Sequence, residues 1–260
     1  MIGSSLQIAL GLASGSLVGF TLGLVGGGGS VLAVPLMVYV VGVPSPHVAI
    51  GTSAVAVAAN AATSLAHHAR KGTVRWPCAA VFAGTGTLGA LLGSTLGKMM
   101  DGQKLLMLFA VLMLVVSALM LKGRSGDSDR AVRLNRENLP RLIAVGGAAG
   151  LLSGFFGIGG GFLIVPGLML ATGMTILNAI ASSLVAVTVF GATTAANYAF
   201  SGLVEWWLAI VFIAGGALGG LAGTHSAHRL AAKRGTLNMV FAAMIAAVAV
   251  YMLLRSLGTI

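Results

Sequence analysis

Two glycine clusters are the clearest candidates for binding chemistry in this 260-residue sequence. They occupy 26–29 and 157–161, and the apolar runs 30–41 and 161–172 accompany them. Unpaired N–H groups at the start of a short helix lie at the positive end of the helix dipole, where they bind anions without a charged side chain. The clusters therefore predict an anion site, although glycine also serves close helix packing. The predicted backbone ligands are Gly26, Gly27, Gly28, Gly29, Ser30, Gly157, Gly159, Gly160 and Gly161.

Polar side chains form a stripe along the third apolar segment of each half of the sequence. In the first half the stripe consists of Ser53, Asn60, Ser64 and His67, which share one helical face. In the second half it consists of Ser183, Thr194 and Asn197, with Phe190 at the position of Asn60. The stripe indicates a polar cavity or a helix contact, and bonding to the helix's own backbone is the alternative for Ser and Thr. The predicted side-chain ligands are Thr52, Ser53, Asn60, Ser182, Ser183, Thr194 and Asn197.

Histidine gives a candidate chemistry of another class. The adjacent His67 and His68 diverge by about 100° on a helix, and His225 and His228 have no acidic ligand beside them. They leave open a His-dependent membrane enzyme or a metal-handling protein. No Asp or Glu lies within any apolar run, which argues against a carboxylate proton relay and against an acidic cation filter. We predict no enzymatic activity, no metal and no cofactor.

The composition shows what kind of molecule must position these residues. It is 57% hydrophobic and 8% charged, with a mean hydropathy of +1.01, whereas a soluble domain is about a quarter charged. The sequence therefore predicts an integral membrane protein rather than a soluble enzyme, and nucleic acid is a poor partner despite the net charge of +10. No Lys or Arg occurs in the first 69 residues, so we expect a mature membrane segment there and no signal peptide.

The chain contains two copies of one unit. Four glycines and a proline of 23–35 recur at an offset of 131 in 154–166, and Gly19 recurs as Gly150. After one deletion the offset becomes 130, so that 50–53 corresponds to 180–183. We predict a first repeat over 1–121, a basic linker over 122–140 and a second repeat over 141–260.

Each repeat is predicted to contain a glycine-broken re-entrant hairpin and three transmembrane helices. The first repeat has hairpin 5–41 and helices 47–69, 76–97 and 104–121; the second has hairpin 141–172 and helices 175–200, 206–224 and 236–254. A helix of about 12 residues reaches about 18 Å into a hydrocarbon core of about 30 Å. The short runs after the glycines should therefore begin near the membrane midplane. The predicted fold class is an all-α integral membrane protein with two inverted-topology repeats.

The basic residues predict the orientation, because short cytoplasmic loops collect Lys and Arg. With the linker in the cytoplasm, segments 70–75 and 225–235 are also inside, and 201–205 is outside. Only Lys98, Lys104 and Arg255 of the 15 basic residues then lie outside. Both termini are predicted to be extracytoplasmic. Inverted repeats are typical of secondary transporters, and a parallel repeat with four crossings per copy is the alternative that this charge pattern disfavours.

The doubled glycine motif resembles the TauE/SafE family of membrane proteins. The segments 23–35 and 154–166 carry the resemblance, together with 51–53 and the Gly-x-Val-x-Trp segment 72–76. The resemblance implies a plasma-membrane transporter of sulfur-containing anions such as sulfite or organosulfonates, several members being exporters. The second copy departs from the pattern at 181–183, where Ala-Ser-Ser replaces Gly-Thr-Ser. We expect a secondary transporter, with an anion channel as the alternative, whose partners are the anion and membrane lipid, and whose oligomeric state stays open.

Overall fold

Helices account for the regular structure in the computed structural model, which describes residues 5–122, 138–157, 159, 161–230 and 234–256. No strand occurs in these ranges. Most of the predicted linker, and Gly160 of the second glycine cluster, lie outside the described residues. The helices are α1 (Ser5–Val25), α2 (Ala33–Pro35), α3 (Pro46–Arg70), α4 (Trp76–Met99), α5 (Gly102–Lys122), α6 (Leu139–Phe156), α7 (Gly161–Thr172), α8 (Ile176–Ala199), α9 (Trp206–Leu230) and α10 (Arg234–Ser256).

Six helices in the described part of the chain are long and apolar enough to cross a membrane. They comprise the first arm of each hairpin, α1 and α6, together with α3, α4, α8 and α9. The described apolar parts of α5 and α10, Gly102–Ala118 and Ala242–Arg255, are shorter. The protein is therefore a multi-pass membrane protein.

The chain reverses direction at both glycine clusters. In the first hairpin, Gln7 Nε2 donates a hydrogen bond to the Val41 carbonyl at 3.4 Å, so residues 34 positions apart lie side by side. The return arm consists of the 3-10 helix Gly26–Leu32, α2 and the π-helix Leu36–Val40. In the second hairpin, a Cβ on Gly167 of α7 would lie 2.9 Å from Val145 Cγ1 of α6. Each hairpin thus has a full-length first arm and a shorter return arm.

Glycines let each hairpin pack closely on a helix of the other predicted repeat. A Cβ on Gly19 of α1 would collide with the Gly216 carbonyl of α9, and a Cβ on Gly150 of α6 would collide with the Gly86 carbonyl of α4. These two contacts join equivalent positions of the repeat, with the partners exchanged. Two further contacts of the same kind are equivalent, since Gly219 meets Ser16 and Gly89 meets Gly147. Small residues are what allow helix backbones to approach this closely in a membrane.

The equivalent helices α3 and α8 pack against each other in opposite directions. Gly51 near the start of α3 contacts Tyr198 near the end of α8, whereas Gly191 lies against Ala58 further along α3. An antiparallel pair of equivalent helices is the arrangement that inverted repeats require. The orientation of the two repeats in the membrane stays a prediction.

Candidate functional site

The second glycine cluster lies half-way along the α3/α8 pair. A Cβ on Gly159 would lie 3.0 Å from Val57 Cγ1 and 3.1 Å from Val187 Cγ1. Val57 is 11 residues after the start of α3 at Pro46, and Val187 is 11 residues after the start of α8 at Ile176. The half-helix α7 begins two residues further on, so its N-terminal amides start close to the centre of the pair.

Backbone geometry explains why this cluster is made of glycine. Gly157 caps α6 with φ +68°, and Gly159 has φ +69°. This left-handed region costs other residues about 1–2 kcal/mol. Gly157 donates its N–H to the Gly154 carbonyl at 3.2 Å, which ends α6 and frees the chain to turn back.

The first glycine cluster packs against the second hairpin. Its 3-10 helix, Gly26–Leu32, contacts both α7 and α8. Gly28, Gly29 and Ser30 are buried, and a Cβ on Gly29 would collide with the backbone of Thr21 and Leu22 in α1. The structure therefore places the 3-10 helix that contains the first predicted tip against the second hairpin and against α8.

Thr52 and Ser182 bond to segments of the opposite predicted repeat. Thr52 Oγ1 accepts a hydrogen bond from the Glu205 amide at 2.9 Å. Ser182 Oγ accepts one from the Arg75 amide, also at 2.9 Å. Each hydroxyl thereby bonds the residue that immediately precedes α9 or α4. These contacts are equivalent in the two repeats, and they give both side chains a structural task.

Ser53 and Ser183 bond to the carbonyls of their own helices. Ser53 Oγ donates to Ile50 at 3.0 Å, and Ser183 Oγ donates to Ile180 at 2.8 Å. A hydroxyl has one hydrogen to donate. Both serines must therefore give up these bonds before they can donate to an anion.

Asn60 and Thr194 are buried polar side chains with no hydrogen-bond partner in the described part of the protein. Asn60 is 2% exposed, and Thr194 is fully buried. The Asn60 amide lies against Gly216 of α9, where any side chain would overlap it. An unpaired buried polar group costs about 1–3 kcal/mol. Of the predicted side-chain ligands, these two have the most unused bonding capacity.

Two further hydroxyls that the sequence interpretation missed share this property. Ser153 of α6 and Tyr198 of α8 are fully buried, and neither oxygen has a partner among the described residues. A signal existed for Ser153, because it is polar within the apolar first arm of a hairpin. Tyr198 directly follows the stripe residue Asn197 but lies outside the spacing of the stripe.

Asn197 lies at the end of α8, ten residues or about 15 Å from Val187 along the helix. Its Oδ1 accepts from Lys98 Nζ at 2.8 Å, and its Nδ2 donates to Ser94 Oγ at 2.6 Å. Asn197 is therefore separate from the glycine tips. The sequence interpretation counted Lys98 as an outside charge and missed this bonding.

A cavity of about 180 Å³ lies between α3 and α9. Thr63, Ser64 and His67 line it from α3. His68 lies nearby, with Nδ1 3.3 Å from Thr73 Oγ1. No group of three metal-ligating side chains occurs among the residues that the structure describes. The side chains of His225 and His228 lie outside that part.

The described acidic residues lie at helix ends, away from the glycine tips. Asp101 Oδ1 accepts hydrogen bonds from the Gln103 and Lys104 amides at 3.1 Å each, and so caps α5. Glu205 lies in the loop before α9. The centre of the α3/α8 pair therefore offers amide and hydroxyl groups, and no described carboxylate that would repel an anion.

The whole sequence is similar to known membrane transporters. The profile of the family described as "Sulfite exporter TauE/SafE" matches residues 11–252. A protein of Xylella fastidiosa (strain 9a5c) named "Probable membrane transporter protein" is 52% identical over 257 residues, covering 97% of this chain and 96% of its own. "Probable membrane transporter protein YunE" of Bacillus subtilis (strain 168) is 27% identical over 248 residues, covering 87% of this chain and 89% of its own. No solved structure matches significantly.

Proposed function

The chain belongs to the sulfite exporter TauE/SafE family of membrane transporters, and from this premise we propose that it is a secondary transporter of a small sulfur-containing anion. The anion is sulfite or an organosulfonate, and the direction is export. It binds between the two glycine tips, through backbone amides supplemented by side chains of the α3/α8 pair. The protein works without enzymatic activity, metal or cofactor.

The observation that carries this proposal is the position of Gly159. It lies between the midpoints of α3 and α8, with the first cluster's 3-10 helix packed nearby against α7 and α8. This packing supports a site at which both hairpins present glycine-rich backbone. Irregular backbone at membrane depth occurs where it is buried in protein or lines a cavity.

The chemistry of the centre favours an anion. Amide N–H groups at the start of α7 supply partial positive charge, and Asn60 and Thr194 supply unpaired donors. A sulfite ion or a sulfonate group offers three oxygen acceptors on one sulfur atom. It can therefore accept hydrogen bonds from several of these donors at once.

The protein lies in the cell inner membrane in this proposal. The linker 122–140 faces the cytoplasm, and both termini are extracytoplasmic. The two repeats are inverted relative to each other and move against each other to expose the site on either side in turn. The reciprocal packing of the hairpins on α9 and α4 supports this arrangement, because each hairpin is tied to the other repeat.

Uptake of labelled anions into proteoliposomes tests the substrate and the site. We expect uptake of sulfite or of a small sulfonate such as methanesulfonate, and a decrease of about tenfold or more in Gly159→Ala. That decrease corresponds to about 1.4 kcal/mol. The control is Gly173→Ala in the same hairpin, which has a similar φ of +70° but nothing within 4 Å of its Cβ. Both variants carry the same backbone strain, so a difference between their transport rates reports the contacts that Gly159 makes at the tip.

The proposed site would be wrong if both alanine variants lost transport equally, or if neither did. An anion channel with the same site is the second candidate. Accumulation of the anion against its gradient would exclude that channel. A His-dependent membrane enzyme or metal-handling protein is the remaining alternative, and alanine variants of His67, His68, His225 and His228 should transport normally if the proposal is right.

A further inference from the structure

The C-terminal ends of α3 and α8 lie at opposite ends of the molecule's central helix pair. Gly51 contacts Tyr198, so the level of Asn197 on α8 is close to that of Gly51 on α3. His67 is 16 residues further along α3, a distance of about 24 Å. His67 and Asn197 are also equivalent positions of the repeat. They mark the two ends of the proposed transport path, which we call its mouths. An exact repeat would make the two mouths alike.

The structure describes a different feature at each mouth. At the His67 mouth, α3 and α9 leave the cavity of about 180 Å³, which Thr63, Ser64 and His67 line from one side. At the other, α8 and α4 are joined by hydrogen bonds. We define the Lys98 mouth as the residues Ser94, Thr95, Lys98, Asn197 and Ser201.

Lys98 makes three hydrogen bonds at its mouth. Its Nζ donates to the Asn197 carbonyl at 3.0 Å, to Asn197 Oδ1 at 2.8 Å and to Ser201 Oγ at 2.8 Å. Three acceptors match the three hydrogens of an ammonium group. The bonds fasten the end of α4 to the end of α8 and to the loop that follows it.

Among the described residues, the partners of the positively charged Lys98 are neutral groups. No carboxylate of the described residues pairs with it, and the Tyr198 ring lies 5.8 Å from Nζ. The bonds from the ammonium to Asn197 and Ser201 are already strengthened by its charge, but an anionic acceptor adds the attraction between opposite charges, which these neutral oxygens lack. An anion that reaches this mouth can therefore replace Asn197 and Ser201 as the partner of Lys98.

We propose that Lys98 and Asn197 form an anion-operated gate at the Lys98 mouth. The gate is closed in this structure. An arriving anion takes the hydrogen bonds of the Lys98 ammonium from Asn197 and Ser201, and α4 and α8 then separate. The inference rests on the proposed anion transport. It adds a second anion-binding position to the central one, and it makes the two mouths unequal.

The repeat supports the inequality. The positions equivalent to Lys98 and Asn197 are His228 and His67, so the sequence at the other end has no lysine–asparagine pair. No single histidine nitrogen carries three hydrogens, so a histidine cannot donate three hydrogen bonds from one atom as the Lys98 ammonium does. The gate is therefore expected at the Lys98 mouth alone.

Cysteine labelling at two equivalent positions tests the gate. The single native cysteine, Cys78, is buried and is first replaced by serine. Thr63→Cys then reports the His67 mouth, and Thr193→Cys reports the Lys98 mouth one turn inside Asn197. Purified protein in nanodiscs is treated with a bulky hydrophilic maleimide, with methanesulfonate as the probe anion and dimethyl sulfone as its neutral counterpart.

We expect Thr193→Cys to react more slowly than Thr63→Cys, and methanesulfonate to speed its reaction about tenfold. Lys98→Met should react quickly with or without the anion, whereas Lys98→Arg should keep the slow, anion-sensitive behaviour. Lys104→Met removes a nearby charge outside the gate and should behave as the parent. The gate is refuted if Lys98→Met stays slow, or if dimethyl sulfone acts as well as methanesulfonate.

The failure of the gate and the failure of the proposed function are distinguishable. If labelling follows the expectation but liposomes take up neither sulfite nor methanesulfonate, the gate stands and the transported substrate is wrong. If uptake occurs and Lys98→Met leaves both uptake and labelling unchanged, the substrate stands and the gate is wrong.

Discussion

Among the described residues, Asn60 is the buried side chain with the most unpaired polar atoms, its Nδ2 and its Oδ1. Its amide is 2% exposed and has no partner in the described part of the chain, and α9 accommodates it only because residue 216 is glycine. The equivalent position holds Phe190, which packs over Gly86 in the same way. An apolar residue therefore fits this geometry, and an amide here costs stability that a transport role would explain.

We predict that Asn60→Leu raises the stability of the protein and lowers transport. Removing an unpaired buried amide should add about 1–3 kcal/mol to the free energy of unfolding, seen as a higher melting temperature in detergent. Anion uptake should fall because the proposed site loses the two N–H donors of the Asn60 amide. Thr188→Val is the matched control, since the Thr188 hydroxyl bonds its own helix at Leu184. Unchanged uptake in Asn60→Leu would remove Asn60 from the site.

Sequence reasoning could identify the polar stripe but could not assign tasks within it. Thr52, Ser53, Ser182 and Ser183 are similar residues at neighbouring positions. In the structure, Thr52 and Ser182 bond segments of the opposite predicted repeat, while Ser53 and Ser183 bond their own helices. The difference depends on which backbone lies opposite each hydroxyl, and this depends on packing between segments more than 100 residues apart.

The starts of α4 and α9 depend on the opposite predicted repeat. The amides of Arg75 and Glu205, just before these helices, are satisfied by Ser182 and Thr52. Each bond crosses from a helix of the central pair to a loop. These contacts therefore fix the depth at which α4 and α9 begin relative to α3 and α8.

We predict that Ser182→Ala and Thr52→Val each lower the free energy of unfolding by about 1 kcal/mol. The double variant should lose about twice as much, because the two bonds share no partner. The controls are Ser183→Ala and Ser53→Ala, which remove bonds within one helix only. Thermal unfolding in detergent measures all of these variants. Equal losses of unfolding free energy in controls and variants would show that the bonds between segments stabilise the protein no more than the bonds within one helix.

For the hairpins, the sequence predicts where the chain turns but not which helix types form the return arms. The glycine clusters and the proline indicate where the chain turns. They do not indicate that the first return arm extends from Gly26 to Val40 as 3-10, α and π turns, whereas the second is one α-helix from Gly161. Four consecutive glycines give no preference among these helix types, so packing on α1 and α7 decides.

At the scale of the whole molecule, two patterns of equivalent contacts agree. The hairpins exchange partners, so that α1 packs on α9 and α6 packs on α4. The central pair α3/α8 is antiparallel. A parallel duplication would require equivalent helices to point in the same direction. The internal geometry and the distribution of basic residues therefore favour the same inverted arrangement, although they are independent properties of the chain.

The orientation in the membrane is tested with the equivalent loops after α3 and α8. Gly72 and Gly202 have φ values of +66° and +70°, and a Cβ at either meets nothing within 4 Å. Gly72→Cys and Gly202→Cys therefore place the same thiol in the same backbone geometry, in a Cys78→Ser background. We expect an impermeant maleimide to label Gly202→Cys in intact cells, and Gly72→Cys only after permeabilisation. Inverted repeats place these two loops on opposite sides of the membrane. The basic residues Arg70, Lys71 and Arg75 should keep the loop that contains Gly72 in the cytoplasm. Labelling of both variants in intact cells would instead require a parallel duplication, and with it a different explanation for the antiparallel α3/α8 pair.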